Sequence, residues 1–214
     1  MKKIIVILFS VISYNVLLFA NDTIKIEYKM LNYTTETADL VDIANFLGVD
    51  FRKVTITGNI NGKKIVVITH IVKDGKDSSI IRNYSSQFPI ASDSLTITIK
   101  TLPLDTNKVK TELKINLSTI VVTLPFVYDI GSNKNCKLIE TAFEDELKYD
   151  NNSNADYYFT TAKVFPIIAY SIGMQLEDII NYCALKNASI HPSLWVEKYE
   201  IKNYVYFEIK FLDE

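Results

Sequence analysis

Between Thr23 and Tyr128 the dominant pattern is an alternation of apolar and polar residues with period two. Ile24, Ile26, Tyr28 and Met30 alternate with Lys25, Glu27 and Lys29, and Leu95, Ile97 and Ile99 alternate with Thr96, Thr98 and Lys100. Val109, Thr111, Leu113, Ile115 and Leu117 are interleaved in the same way with Lys110, Glu112, Lys114 and Asn116. Successive side chains of a strand point to opposite faces, so each segment predicts a strand with one dry and one wet face. This is the pattern of antiparallel sheets covered on one side. Asn61-Gly62 falls between two strand-like runs and predicts a tight hairpin joining residues 52–60 to Lys63–Val72. Ile65-Val66-Val67-Ile68 has no polar break, which predicts a central strand covered on both faces, and Ile120 to Tyr128 is another near-continuous apolar strand. One helix interrupts the series. Thr37 can cap it, Leu40, Val41, Ala44 and Leu47 share a face, and Gly48 ends it. Residues 21–131 therefore predict a mainly β or α+β fold, an antiparallel β-sandwich or open barrel with one inserted helix.

The pattern changes from Leu138 onward. Ile139, Phe143 and Leu147 recur every four residues and predict a short helix, with Glu140, Glu144, Asp145 and Glu146 on its solvated side. An Asn/Asp-rich linker follows, so residues 132–156 form a connecting region. Tyr157–Phe165 then reads as a strand. Pro166 opens a predicted helix to about Lys186, with Ile172, Leu176, Ile179, Ile180 and Cys183 on one face. A closing hairpin is expected from Leu194–Ile201 and Tyr204–Leu212. Together these give a small β-α-β-β module over residues 157–214, packed on the first domain because it is near the lower size limit for a core of its own.

The N-terminus carries an address. Lys2 and Lys3 precede an apolar run from Ile4 to Phe19, and Ala20 is a small residue behind which cleavage would leave Asn21 first. That is the layout of a secretory signal peptide, residues 1–20, and the run is shorter than the roughly 20 residues of a membrane-spanning helix. With it removed, no apolar stretch of spanning length is left. The expected location is the periplasm, the outer surface or the medium of a bacterium. The N-x-Ser/Thr triplets at Asn21, Asn32, Asn83, Asn116, Asn151 and Asn187 then reflect a lysine-, asparagine- and isoleucine-rich composition rather than glycan acceptors.

Charge narrows the partners. The formal net charge is −2, and only Arg52 and Arg82 are arginines among the 23 cations. Signal removal takes two lysines and no acid, leaving −4. An acidic chain poor in the residue that binds phosphate bidentately does not suggest nucleic acid as a partner.

Candidate chemistry is sparse. Asp150, Asn152 and Asn154, with Asp156 following, place oxygen ligands at alternate positions as in the first half of a calcium loop. Ala155 stands where that loop needs glycine and Thr161 where it needs a bidentate Glu, so the weight falls on a polar linker, with Ca2+ as the one cofactor to consider. Cys136 and Cys183 are the two cysteines, and an oxidising compartment invites a disulfide worth up to about 4 kcal/mol if strain-free. Against it, Cys183 lies on an apolar stripe, as a buried thiol would. His70 in an apolar strand and His191 before Pro192 read as structural or surface residues. Neither zinc-ligand spacing nor a nucleophile motif or phosphate-binding glycine loop is present. Tyr204 and Tyr206 fall on the polar face of the last strand, and Tyr157 and Tyr158 at the module junction. Exposed tyrosines would suit a partner-binding surface, and packing of that face is the competing expectation. The function expected is that of an exported, non-enzymatic envelope protein binding a protein or envelope component. The alternatives are a periplasmic binder of a small ligand or cation, and a hydrolase with a carboxylate or Cys136 centre.

Overall fold

A computed structural model describes residues 23–30, 37–77, 84–130, 135–141, 147–149, 155–176, 179–182, 185 and 190–213. The expected signal peptide lies outside them. Among the described residues, no helix is long and apolar enough to cross a membrane.

The fold is two antiparallel sheets packed face to face without barrel closure. The strands are β1 (Thr23–Met30), β2 (Asp50–Gly58), β3 (Lys64–Lys73), β4 (Lys76–Asp77), β5 (Tyr84–Ser85), β6 (Ser94–Pro103), β7 (Lys108–Asn116) and β8 (Val121–Asp129). They continue with β9 (Cys136–Glu140), β10 (Leu147–Tyr149), β11 (Ala155–Thr160), β12 (Phe165–Ile172), β13 (Met174–Leu176), β14 (Ile179–Asn181) and β15 (Tyr204–Leu212). Sheet 1 runs β10-β11-β1-β2-β6-β7-β8, and sheet 2 runs β4-β3-β15-β12-β9 with β5 also on β3; β13 and β14 form a separate hairpin. Strands from the last third of the chain enter both sheets: β11 pairs with β1, and β15 pairs with β3 along its whole length.

The period-two residues behave as expected in sheet 1. Ile24, Ile26, Val54, Ile56, Leu95, Ile97, Ile99, Leu113 and Ile115 are buried and meet Val67, Ile168, Val205, Phe207 and Ile209 of sheet 2 in one core. Polar bonds also join the sheets. Tyr28 of β1 donates to the Ile167 carbonyl of β12 at 2.5 Å. Asp50 accepts from Leu138 N–H at 2.7 Å, while Arg52 donates to the Leu138 carbonyl at 3.2 Å and to Asp50 at 2.6 Å.

The expected hairpin at Asn61-Gly62 is corrected. The two residues do form a turn, closed by Lys63 N–H to the Ile60 carbonyl at 3.1 Å, but it joins β2 of sheet 1 to β3 of sheet 2. Gly62 has φ +79° whereas Asn61 is not among the positive-φ residues. A two-residue hairpin of the Asn-Gly kind needs both positive, whereas a type II turn needs only the second. Gly62 N–H binds the Ile90 carbonyl, and Ile60 is buried, so the arch is held by the core rather than by a strand partner. Gly58 permits it: a Cβ there would meet the Thr23 carbonyl oxygen at 2.6 Å.

Three further expectations are corrected in the second half. The short helix expected through Ile139, Phe143 and Leu147 is corrected at both ends, where Cys136–Glu140 is strand β9 at the edge of sheet 2 and Leu147–Tyr149 is strand β10; Phe143 lies outside the described residues. The helix expected from Pro166 to about Lys186 is replaced by strands up to Asn181, and among the described residues after that only Tyr182 and Leu185 are helical. Phe165–Ile172 is β12, buried at every position to Ser171, with Pro166 at a register shift against β15. A strand covered on both faces has no polar alternation, and an apolar run of that length fits either period. Gly173 then ends it. A Cβ there would meet Ile180 Cγ2 at 2.8 Å, so the glycine admits the β13–β14 hairpin at contact distance. Leu194–Ile201 is not a strand: a 3-10 turn, Pro192–Leu194, leads into helix α2, Trp195–Tyr199, which ends at left-handed Glu200, φ +57°.

The inserted helix is present as α1, Ala38–Phe46, between β1 and β2, with Thr37 at its start but no side-chain capping bond. No residue of α1 is buried.

Candidate functional site

Burial sorts the sequence candidates. Tyr204 and Tyr206, for which an open binding face and a packed face are the competing expectations, are 0% and 2% exposed. β15 sits between β3 and β12, and its outward side is roofed by buried Pro192 and by Trp195 and Ile201, which with Val72, Ile139, Ala169, Leu185, Tyr204 and Tyr206 form a second small core. Tyr204 donates to the Pro192 carbonyl at 2.6 Å, and Trp195 Nε1 donates to the Ile190 carbonyl at 3.0 Å, so the roof is bonded to the strand below and to itself. Burial raises both tyrosine hydroxyls well above the ordinary phenol range. The pair is packed beneath the roof, the competing expectation for that face.

Tyr157 and Tyr158 pair with Ile26 and Lys25 of β1 through their backbones, and their side chains lie outside the described residues. Asp150, Asn152 and Asn154 also lie outside them, and Asp156 is described only through its backbone pairing with Lys148. Among the described residues no group of three or more His, Cys, Asp or Glu side chains could hold a metal ion. Cys136 is half-buried at the start of β9, and burial pushes its thiol up to about 12. Cys183 lies outside the described residues.

The structure brings together a cluster that separate readings of its members did not suggest. Both histidines of the chain converge on Glu208 of β15. His70 of β3, whose backbone pairs with Tyr206, places Nε2 at 2.9 Å from Glu208 Oε2. His191, at the start of the 3-10 turn, places Nε2 at 2.9 Å from Oε1. His191 Nδ1 accepts from Ser193 N–H at 3.2 Å, which leaves Nε2 to carry the proton toward Glu208. Tyr206 fills the space between, stacked on His70 at 4.3 Å and edge-on to His191 at 6.0 Å. His70 Nδ1 is buried and has Asp77 Oδ2 at 3.5 Å, an ion-pair contact too long for a formed hydrogen bond.

Electrostatics in the cluster favour charge. Burial alone would raise Glu208, but the hydrogen bonds from His191 and His70, followed by their charges, outweigh it and hold the carboxyl down to about 2. Burial likewise opposes protonation of His70, yet the bond and charge of Glu208, with Asp77 behind them, raise it above its ordinary value. Each Nε2 is committed to a carboxylate oxygen, so the three groups do not aim free lone pairs at a common point. The arrangement holds a proton and ties the roof to β15. The sequence signal was the lone acidic residue on the Tyr204–Tyr206 face of the last strand, but its partners are distant in the chain.

Two features remain open to solvent. On α1, Leu40, Ile43, Phe46 and the adjoining Leu47 are exposed, Phe46 by 89%. The outward face of sheet 1 is rich in lysine and threonine, with Val121 and Val127 exposed along its β8 edge. Comparison with protein-family models, curated proteins and solved structures returned no match.

Proposed function

We propose that the protein is an exported, non-enzymatic interaction module of a bacterial envelope, and that it binds a protein partner through α1. The observation that carries the reading is a nine-residue helix with none of its apolar side chains buried. Leu40, Ile43 and Leu47 follow the i, i+3, i+7 spacing by which a helix enters an apolar groove, and Phe46 adds a large anchor beside them. A fold with a closed core gains no stability from these exposed side chains. Asp39 and Asp42 are exposed on the same helix, so the groove that receives it would be rimmed by cations. The cationic, apolar N-terminal segment supports export.

The test is a pull-down from the envelope fraction with the parent protein and with Leu40→Ser/Phe46→Ser. Since neither side chain is buried, the double variant should melt within about 0.5 kcal/mol of the parent. A defined partner retained by the parent and lost by the variant is the expected result. Equal recovery by both would sink the proposal.

A further inference from the structure

We infer that the outward face of sheet 1 is a binding surface for an acidic polysaccharide. It is a different surface from α1, and the inference stands without the reading given to that helix. The outward positions of β1, β2, β6, β7 and β8 carry seven lysines, Lys25, Lys29, Lys53, Lys100, Lys108, Lys110 and Lys114, against three carboxylates, Glu27, Glu112 and Asp129. The face is thus cationic on a chain whose formal net charge is −2.

The carboxylates are engaged. Glu27 pairs with Lys25 at 2.9 Å, Glu112 with Lys100 at 3.7 Å, and Asp129 with Lys73 of sheet 2 at 3.0 Å. No carboxylate pairs with Lys29, Lys53, Lys110 or Lys114 among the described residues. Register places three of these in one row across the sheet: Lys29 opposite Lys53, Lys53 opposite Thr98, Thr98 opposite Lys114, and Lys114 opposite Thr123. With strands roughly 4.8 Å apart, the row sets cations about 5 and 10 Å from one another along a line. Like charges directly opposite on neighbouring strands destabilise a sheet. The Lys29–Lys53 pair therefore works against the fold, and a linear polyanion laid across the strands would remove the repulsion.

The surrounding chemistry selects the polyanion. The next row holds Glu27, Thr55, Thr96 and Asn116, and Lys25 stands opposite Thr57, so hydroxyl and amide groups flank the cations as sugar hydroxyls require. Phe51 is the one aromatic on the outward positions of these five strands, and none of those positions is arginine. Single-stranded nucleic acid binds through rows of aromatic platforms, and phosphate is best read by arginine. Carboxylate or sulfate groups on a hydroxylated polymer fit a face of lysine rows flanked by threonine better.

The experiment is binding of the full chain to polygalacturonate at low salt, with neutral dextran, single-stranded DNA and phosphatidylglycerol vesicles as the other arms. Lys29→Gln/Lys53→Gln/Lys114→Gln is compared with Lys76→Gln/Lys198→Gln/Lys202→Gln, which removes equal charge elsewhere. The expected result is binding to polygalacturonate and not to dextran, weakened about tenfold or more by the first triple and little by the second, with a shallower salt dependence. The Lys→Arg version of the first triple should retain it, and an unlowered melting temperature excludes unfolding as the cause. No binding by the parent overturns the inference, as does equal loss in both triples. Tighter binding to DNA or to vesicles through the same lysines overturns it in favour of those partners.

Discussion

The two sheets have opposite outer faces. Sheet 1 shows water a row structure of Lys and Thr, whereas the outer side of sheet 2 is closed by the 190–201 segment, with Trp195, Tyr204, Tyr206 and the His70–Glu208–His191 cluster inside. An outward substitution on sheet 1 should hardly touch stability, and the equivalent position on sheet 2 should touch it severely. Trp195→Ala tests this most strongly. It empties a fully buried site and removes the bond to Ile190, so a loss of about 3–5 kcal/mol is expected in urea denaturation. Thr98→Ala, at the centre of the sheet 1 face, should cost under about 0.5 kcal/mol. Similar losses in both would mean that the two faces do not differ in this way.

The next test cuts the polar centre of the roof. Glu208→Gln keeps the shape but removes the charge that both histidines bind, and should cost about 2–3 kcal/mol at neutral pH. The cost has a pH signature. Glu208 is held at about 2 against an ordinary 4.5, so its contribution is complete above 4.5 and is lost as pH falls toward 2. His70 is raised above 6.5, so its contribution is complete below 6.5 and is lost as pH rises through its folded value. The parent's advantage over the variant should therefore peak between about pH 4.5 and 6.5 and shrink on both sides. A urea midpoint series from pH 2 to 9 checks it, and a constant difference across that range would remove the cluster's electrostatic role.

The same contrast explains what could be read along the chain. Sheet 1 strands have one wet face, so Lys110, Glu112 and Lys114 mark the register between Val109, Leu113 and Ile115, and the strands are visible without any tertiary knowledge. β12 and β15 have no wet face. Pro166–Ile172 consequently passes for the start of a helix, and the Tyr204–Tyr206 face can pass for surface, because most of its cover, Leu194–Ile201, reads as a strand. The Asn61-Gly62 turn was legible as a turn but not as an arch, since whether two strands pair or part to opposite sheets is decided by Ile60 and Ile90 in the core. The His–Glu–His cluster joins residues more than a hundred positions apart from His70 to Glu208, a coincidence of register that no local spacing encodes. The lysine row is the reverse case. Lys29 and Lys114 were plain in the alternation, but overall acidity concealed that the strands align them with Lys53.

The smallest predicted effect has the opposite sign from the others. Lys53→Thr removes one member of the opposed Lys29–Lys53 pair and places a β-branched residue next to Thr98. Strand propensity and relief of repulsion then act together, so the variant should be more stable by about 0.2–1 kcal/mol, and more so at low salt than at high. Lys29→Thr should give a similar gain, and the double variant less than the sum, because the second substitution has no repulsion left to relieve. A double-mutant cycle by thermal melting at two salt concentrations measures the coupling directly. If both single variants are destabilised, the row belongs to the fold's stability; if they are stabilised, the lysines are kept at a cost to it, as a surface that meets a polyanion would require.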